Sequence, residues 1–275
     1  MRRPISGRVV AVTGAGRGIG AAIAAALSRH GALVALGDLD ADAAAGTAGN
    51  LGPRAAAYPL DVTHTASFTA FLDAAERDLG PLDVLVNNAG VMWVGPAHEE
   101  PEQAVLKQFD VNVHGVLRGM RIATPRMRER GRGHIINIAS IASLIPPPGE
   151  ATYCATKHAV YGYSAAVRRE LAGTGVDVSV VMPSVVETEL ALGTSEGRVP
   201  RLRPEQVGDA VTDVIRRPRF ESFVPRRLNP MTRTLALLPQ RGRDLMLQLA
   251  VPDQAAATDQ ATRAAYERAA GLAGC

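Results

Sequence analysis

The sequence predicts an α/β protein: a doubly wound parallel sheet with helices on both faces, followed by a helical C-terminal extension. Three observations carry this prediction. Short runs rich in β-branched residues are apolar throughout rather than alternating, as expected of parallel strands covered on both faces. They alternate with longer alanine-rich stretches, which requires right-handed crossovers between parallel strands. A glycine-rich turn stands between the first such run and the first helix.

Residues 9–12 read as the first strand and residues 21–30 as a helix that closes at Gly31. Residues 33–36 form a second strand ending at Gly37-Asp38, and residues 57–60 a short third one. Pro59 places that third strand at an edge or a strand end, because proline has no ladder N–H to donate. Phe68, Phe71, Leu72, Ala75 and Leu79 fall on one face of a helix. Residues 84–86 are a buried strand running into Asn87-Asn88-Ala89-Gly90. A helix over 101–116 continues into a second over 117–129, before a fifth strand at 134–138. Residues 153–171 are helical and 176–182 form the sixth strand. No linker or repeat interrupts the pattern, so residues 1–275 read as one domain with 216–275 as its basic, helical extension.

The chain has 275 residues, 30 basic against 27 acidic, and a formal charge of +3. With 47% apolar and 21% charged residues, wholesale disorder is excluded. Two cysteines, Cys154 and Cys275, cannot build a disulfide framework or a four-thiolate zinc site. No apolar run approaches the roughly eighteen residues of a membrane span. Met1-Arg2-Arg3-Pro4 resembles a signal n-region, but a glycine-rich turn follows instead of an apolar core. A reduced, cytoplasmic protein is therefore expected. Its charge is uneven: residues 1–215 carry 20 basic and 22 acidic side chains, residues 216–275 ten arginines and five acids. Only Lys107 and Lys157 are lysines.

Thr13-Gly14-Ala15-Gly16-Arg17-Gly18-Ile19-Gly20 follows a strand and opens a helix. In that context glycines permit the tight turn and let backbone N–H groups approach a pyrophosphate at the helix N-terminus. Asp38 ends the second strand, where an acid accepts both ribose hydroxyls of NAD and repels a 2′-phosphate. Arg17 points the other way, toward NADP. Carboxylate against phosphate is a repulsion at close range, so NAD is expected over NADP.

Tyr153 and Lys157 lie four residues apart, on one helix face. A phenol with pKa near 10 is a poor base, but a neighbouring ammonium and an oxidised nicotinamide stabilise its phenolate. It then takes an alcohol proton while hydride leaves. Ser140 lies just past the fifth strand, where its hydroxyl can hold the substrate oxygen, and Asn112 lies on the preceding helix.

With these motifs in order, residues 7–190 resemble the short-chain dehydrogenase/reductase family in its NAD(P)-dependent single-domain form. The resemblance implies a Rossmann-type sheet and a cofactor turn at Thr13, Gly14, Gly18, Ile19 and Gly20. It also implies an adenine contact at Asp61-Val62, with Asn88, Ala89 and Gly90 steadying the central sheet beside the cofactor. Asn112, Ser140, Tyr153 and Lys157 match the catalytic tetrad: proton relay, substrate orientation, general acid/base and ribose binding with phenol activation. Two departures stand out. Pro183 is followed by Ser184 where the family has glycine, with Thr188 at the position that touches the nicotinamide carboxamide. The tail also lacks the strand and glycine-bearing end used in tetramer packing.

His114 and His158 have no carboxylate partners at metal-ligand spacing, and no metal is expected. Residues 92–94, 141–144 and 189–192 follow the strand ends and would form an apolar pocket. Pro146-Pro147-Pro148 stiffens the loop before the tyrosine helix, and Glu150 is assigned no role. In the tail, leucines 235, 237, 238, 245, 247 and 249 lie among arginines, interrupted by Pro239. Packing or a subunit contact comes first among its readings, then a peripheral membrane contact. Nucleic acid is not expected, since the interleaved aromatics for base stacking are missing. The expected activity is hydride transfer between NAD(H) and an apolar secondary alcohol and ketone, or an aldehyde, by a homo-oligomer (dimer or tetramer). The alternatives are a non-catalytic dinucleotide sensor and a membrane-associated reductase of lipid-like substrates.

Overall fold

The computed structural model describes residues 3–195 and 200–273; Met1, Arg2 and Cys275, read above for targeting and redox chemistry, lie outside them. Seven strands form one parallel sheet: β1 (Val9–Thr13), β2 (Leu33–Asp38), β3 (Ala55–Pro59), β4 (Leu82–Asn87), β5 (Gly133–Ile138), β6 (Val176–Pro183) and β7 (Glu221–Val224). Their order is β3-β2-β1-β4-β5-β6-β7. Proline-ending β3 is an edge, as its sequence predicts. Chain direction across the sheet reverses between β1 and β4, and that switch point opens the crevice where such sheets bind ligands.

Residues adjacent along each strand point to opposite faces, and both faces are apolar. Ala11, Leu85, Ile135 and Val180 pack under α3 (Thr65–Leu79), α5 (Gly115–Glu129) and α6 (Ala151–Glu170), against Phe68, Phe71, Leu72, Met120 and Val160. Val10, Val12, Val86, Ile136 and Val181 pack on the other face with Ile23, Leu27, Val207 and Val211 of α1 (Gly18–Arg29) and α7 (Pro204–Arg216). This double burial is why the strands read as unbroken apolar runs. Three elements were not anticipated: α2 (Ala41–Leu51), α7 and β7. Alanine and glycine dilute the periodicity of α2, while β7 is only four residues long.

The helix expected over 101–129 is one rod with a defect: α4 (Glu102–Phe109), a π-helical turn over Asp110–His114, then α5. Such wide turns occur mostly at functional positions, and this one carries Asn112. Past β7 the chain forms α8 (Leu228–Leu237), α9 (Gln240–Ala250), α10 (Gln254–Ala257) and α11 (Gln260–Ala269). The break between α8 and α9 falls at Leu238-Pro239, where proline cannot continue the helix.

Candidate active site

The turn after β1 is built so that only glycine fits. Gly14 and Gly18 have φ of 63° and 54°, conformations that L side chains rarely adopt. A Cβ on Gly14 would lie 2.9 Å from the Cα of Ala89, and one on Gly20 would overlap the Gly14 carbonyl. The β4 end braces this turn. Thr13 Oγ1 accepts from the N–H groups of Asn88 (2.9 Å) and Ala89 (3.1 Å). Asn88 Nδ2 donates to the carbonyls of Thr13 and Gly14. One residue back, Asn87 donates to Asn137 at 2.8 Å, tying β4 to β5.

Helix α1 begins without a side-chain cap and without an acid in its first turn. Its leading N–H groups and the positive end of its dipole therefore suit an anion, and a dinucleotide's pyrophosphate fits this cradle. Asp38 stands at the end of β2, accepting from the N–H of Gly16 (2.8 Å) and of Asp40 (3.0 Å). Arg17 pairs with Asp40 and, at 3.2 Å, with Glu189. Ile19 faces the cavity described below. Asp61 is committed locally. Burial alone would raise its carboxyl, but hydrogen bonds from Thr63 and His64 hold it below the ordinary value. Val62 packs against Gly115.

The reacting candidates converge beside the turn. Tyr153 and Lys157 share a face of α6, with the Lys157 ammonium 5.5 Å from the phenol ring centre and donating to the Ile138 carbonyl at 3.1 Å. Ser140, two residues past β5, accepts from Ala142 N–H at 3.1 Å and lines the same cavity as Tyr153. Asn112 is locked by three bonds: it donates to Val91 O (2.8 Å) and Thr156 Oγ1 (3.1 Å) and accepts from Val91 N (2.8 Å). A Cβ on Gly90 would lie 3.3 Å from Asn112 Oδ1 and 3.5 Å from Lys157 Nζ, so glycine leaves room for both. Burial lowers Lys157 to about 8, which leaves it mostly cationic at neutral pH. Burial, helped by the Glu150 charge, pushes the Tyr153 phenol up, with the nearby Ser140 hydroxyl opposing. Without a dinucleotide, desolvation thus outweighs the activation expected from Lys157.

Pro183, Ser184 and Thr188 line the same cavity. No described residue other than glycine has positive φ, so Ser184 is unstrained. Its hydroxyl is buried without a hydrogen-bond partner. Thr188 stands over the cofactor turn, its Cγ2 3.4 Å from where a Gly18 Cβ would sit. The cavity holds about 400 Å³. The expected loops supply Met92, Ile141, Ala142, Leu190 and Ala191. The tail supplies a wall that sequence reasoning missed, with Met231 and Leu235 of α8 and Met246, Leu247 and Val251 at α9. Glu150, to which the sequence assigns no role, is 8% exposed and lines the cavity, because α10 covers its loop. Gly149 sits against the backbone of Ala255, and Gln254 N–H donates to Pro148 O. Cys154 is buried, and that burial pushes its thiol up to about 12, away from nucleophilic use. His114 pairs with Asp110, and His158 is exposed.

An uncapped glycine turn at the switch point of a parallel sheet, with Asp38 at the next strand end, defines a dinucleotide-binding α/β protein. Residues 8–198 match the family described as short chain dehydrogenase, and the chain belongs to that family. It is 33% identical over 233 residues to the probable oxidoreductase EphD of Mycobacterium tuberculosis, a match covering 76% of this chain. The match spans only 39% of EphD's length. With the D-threitol dehydrogenase of Mycolicibacterium smegmatis it shares 38% identity over 219 residues, 78% of this chain and 81% of that one. The crystal structure of a short-chain dehydrogenase/reductase from Burkholderia phymatum in complex with NAD superposes with a TM-score of 0.79 at 29% identity. That superposition covers 91% of this chain and 98% of the other.

Proposed function

We propose that this chain is an NAD-dependent oxidoreductase interconverting an apolar secondary alcohol and its ketone, or an aldehyde, with Tyr153 as general acid/base. The observation that carries the reading is the meeting of the Tyr153 phenol and the Ser140 hydroxyl in a cavity whose other walls are largely apolar. Ser140 holds the substrate oxygen, and Tyr153 Oη takes the carbinol proton as the hydride leaves carbon. In the reverse direction Tyr153 returns that proton to the ketone oxygen. The oxidised nicotinamide, when bound, supplies the hydride acceptor and a positive charge that favours the phenolate. Lys157 adds a second positive charge and a donor for the nicotinamide ribose. Asn112 acts first by position, fixing the Val91 backbone against α6 through Thr156. The water-linked relay expected of it would run through its backbone, since its side-chain amide is committed.

NAD is favoured over NADP by two groups. The Asp38 carboxylate ends β2 beside the glycine turn, and Arg17, the cation nearest to hand, is already paired with Asp40 and Glu189. A 2′-phosphate would meet one carboxylate directly and compete with two more for its arginine. Thr13, Gly14, Gly18, Ile19, Gly20, Asn88, Ala89, Gly90, Pro183 and Thr188 complete the proposed cofactor site, with the Asp61-Val62 segment at its adenine end. A homo-oligomer remains the proposed assembly.

Tyr153→Phe tests the mechanism. With a graded panel of apolar alcohols and NAD, followed by nicotinamide absorbance, turnover should fall by about 10²–10⁴, the usual worth of a positioned acid/base. Cofactor binding, read by fluorescence titration, should persist. Near-normal turnover in this variant overturns the mechanism.

A further inference from the structure

Helix α9 has no buried residue, although Leu245, Met246, Leu247, Leu249 and Ala250 give it an apolar side. Leu245 and Leu249, 59% and 63% exposed, are four residues apart and share a face with Met246. Leu237, 86% exposed, sits at the junction where α8 turns into α9. Of the eight large apolar side chains exposed among the described residues, five lie between 231 and 249. Scattered single leucines on a surface are ordinary, but a concentration on one helical hairpin marks a contact face.

The charge around this face is mostly positive. Between Pro225 and Pro252 stand Arg226, Arg227, Arg233, Arg241 and Arg243 against a single acid, Asp244. Arg226 reaches Asp213 and Arg233 lies 4.0 Å from Glu221, yet both keep more than 70% of their side chains exposed. Arg227 and Arg241 are exposed as well. A second copy docking through this patch about a two-fold axis would set arginines against arginines. An anionic surface meets them with opposite charge, and its hydrocarbon receives the leucines. No helix among the described residues is long and apolar enough to cross a membrane, so the contact is peripheral.

The same hairpin walls the candidate active site. Met231, Leu235, Met246 and Leu247 face the cavity, and on α9 Met246 joins the lining face to the exposed one. We propose that α8 and α9 dock this protein on an anionic lipid bilayer, so that apolar substrates pass from the lipid into the cavity beneath the hairpin. The passage of substrate rests on the redox reading above; the docking does not.

Co-sedimentation of the full chain with vesicles tests docking without turnover. Vesicles of phosphatidylglycerol and phosphatidylcholine should pellet the protein, whereas phosphatidylcholine alone should bind at least tenfold less. Half-molar salt should weaken the binding, since the surface charges are then screened. Two variants outside the catalytic and cofactor groups separate the contributions. Leu237→Ser/Leu245→Ser/Leu249→Ser should abolish pelleting. Arg227→Gln/Arg233→Gln/Arg241→Gln should lower affinity on the order of a hundredfold, at about fivefold per basic residue. Unchanged circular dichroism shows that either variant is folded, and either alone suffices as a test. Failure of the unmodified chain to pellet, or pelleting indifferent to both variants, overturns the proposal. So does a dimer in analytical ultracentrifugation that only the leucine variant dissociates. Near-normal turnover in Tyr153→Phe with vesicle binding intact fails the redox reading alone, whereas loss of turnover in that variant with no pelleting of the unmodified chain fails the docking alone.

Discussion

Glu150 illustrates how much a single buried carboxyl can impose on its surroundings. It caps no N–H with its side chain, although it precedes α6, and it makes no side-chain hydrogen bond among the described residues. Burial raises it from the ordinary 4.5 to about 7, with the Arg263 charge opposing. Between those values the folded chain keeps a proton that the unfolded chain has lost. The stability associated with Glu150 is therefore full below about pH 4.5 and is lost as pH rises through 7. Glu150→Gln should remove that loss, stabilising the protein at pH 8 by about 3 kcal/mol relative to the effect at pH 4. Thermal melts of both proteins at the two pH values check this, and an identical difference at both would count against it. Because the Glu150 charge also raises Tyr153, the same variant should lower the Tyr153 phenol and shift the pH dependence of oxidation to lower pH.

At the scale of elements, the cofactor end depends on how β1, β2 and α1 meet. Asp38 holds the Gly16 N–H while ending β2, so it both shapes the turn and sets the charge beside it. Asp38→Ala should cost NAD affinity roughly tenfold to a hundredfold, the worth of one or two hydrogen bonds to a charged group. NADP should lose less, so the ratio of kcat/KM for the two cofactors narrows; an unchanged ratio would remove Asp38 from cofactor choice. Six of the seven strands, the glycine turn and the candidate Ser140, Tyr153 and Lys157 set were legible in the sequence because each follows a local rule: apolar runs, glycine spacing, helical i,i+4. Other features depend on distant chain and were not. Glu150 has no readable place until α10, a hundred residues later, closes over Gly149. The π turn at Asn112 leaves no mark in a pattern that reads as continuous helix. Ser184, a departure from the pattern the family resemblance implies, is unstrained because its φ is not positive.

For the whole molecule, the split between a slightly acidic body and a basic tail acquires a mechanical meaning through Arg263, which lies in the tail yet is fully buried. From α11 its guanidinium donates to the carbonyls of Met92 and Leu190 (2.6 Å) and to Glu267 (3.1 Å), and it stacks over Tyr266 at 4.4 Å. Glu267 in turn accepts from Val94 N–H at 3.3 Å. One side chain thus fastens the tail to the two loops that flank the cavity, those of Met92 and Leu190. Arg263→Met keeps much of the apolar volume but leaves Glu267 buried without its cation and three loop carbonyls without their donor. Breaking such a pair costs about 3–5 kcal/mol, and here the cost falls on the tail rather than on the sheet. Hydrogen exchange should rise selectively over residues 228–273 while β1, β4 and β5 stay protected. KM for apolar alcohols should rise more than kcat falls, since Ser140, Tyr153 and Lys157 sit on the sheet and α6 rather than on the tail. If exchange rises uniformly, or KM stays constant while kcat collapses, Arg263 is not a latch for the cavity wall but part of the common core.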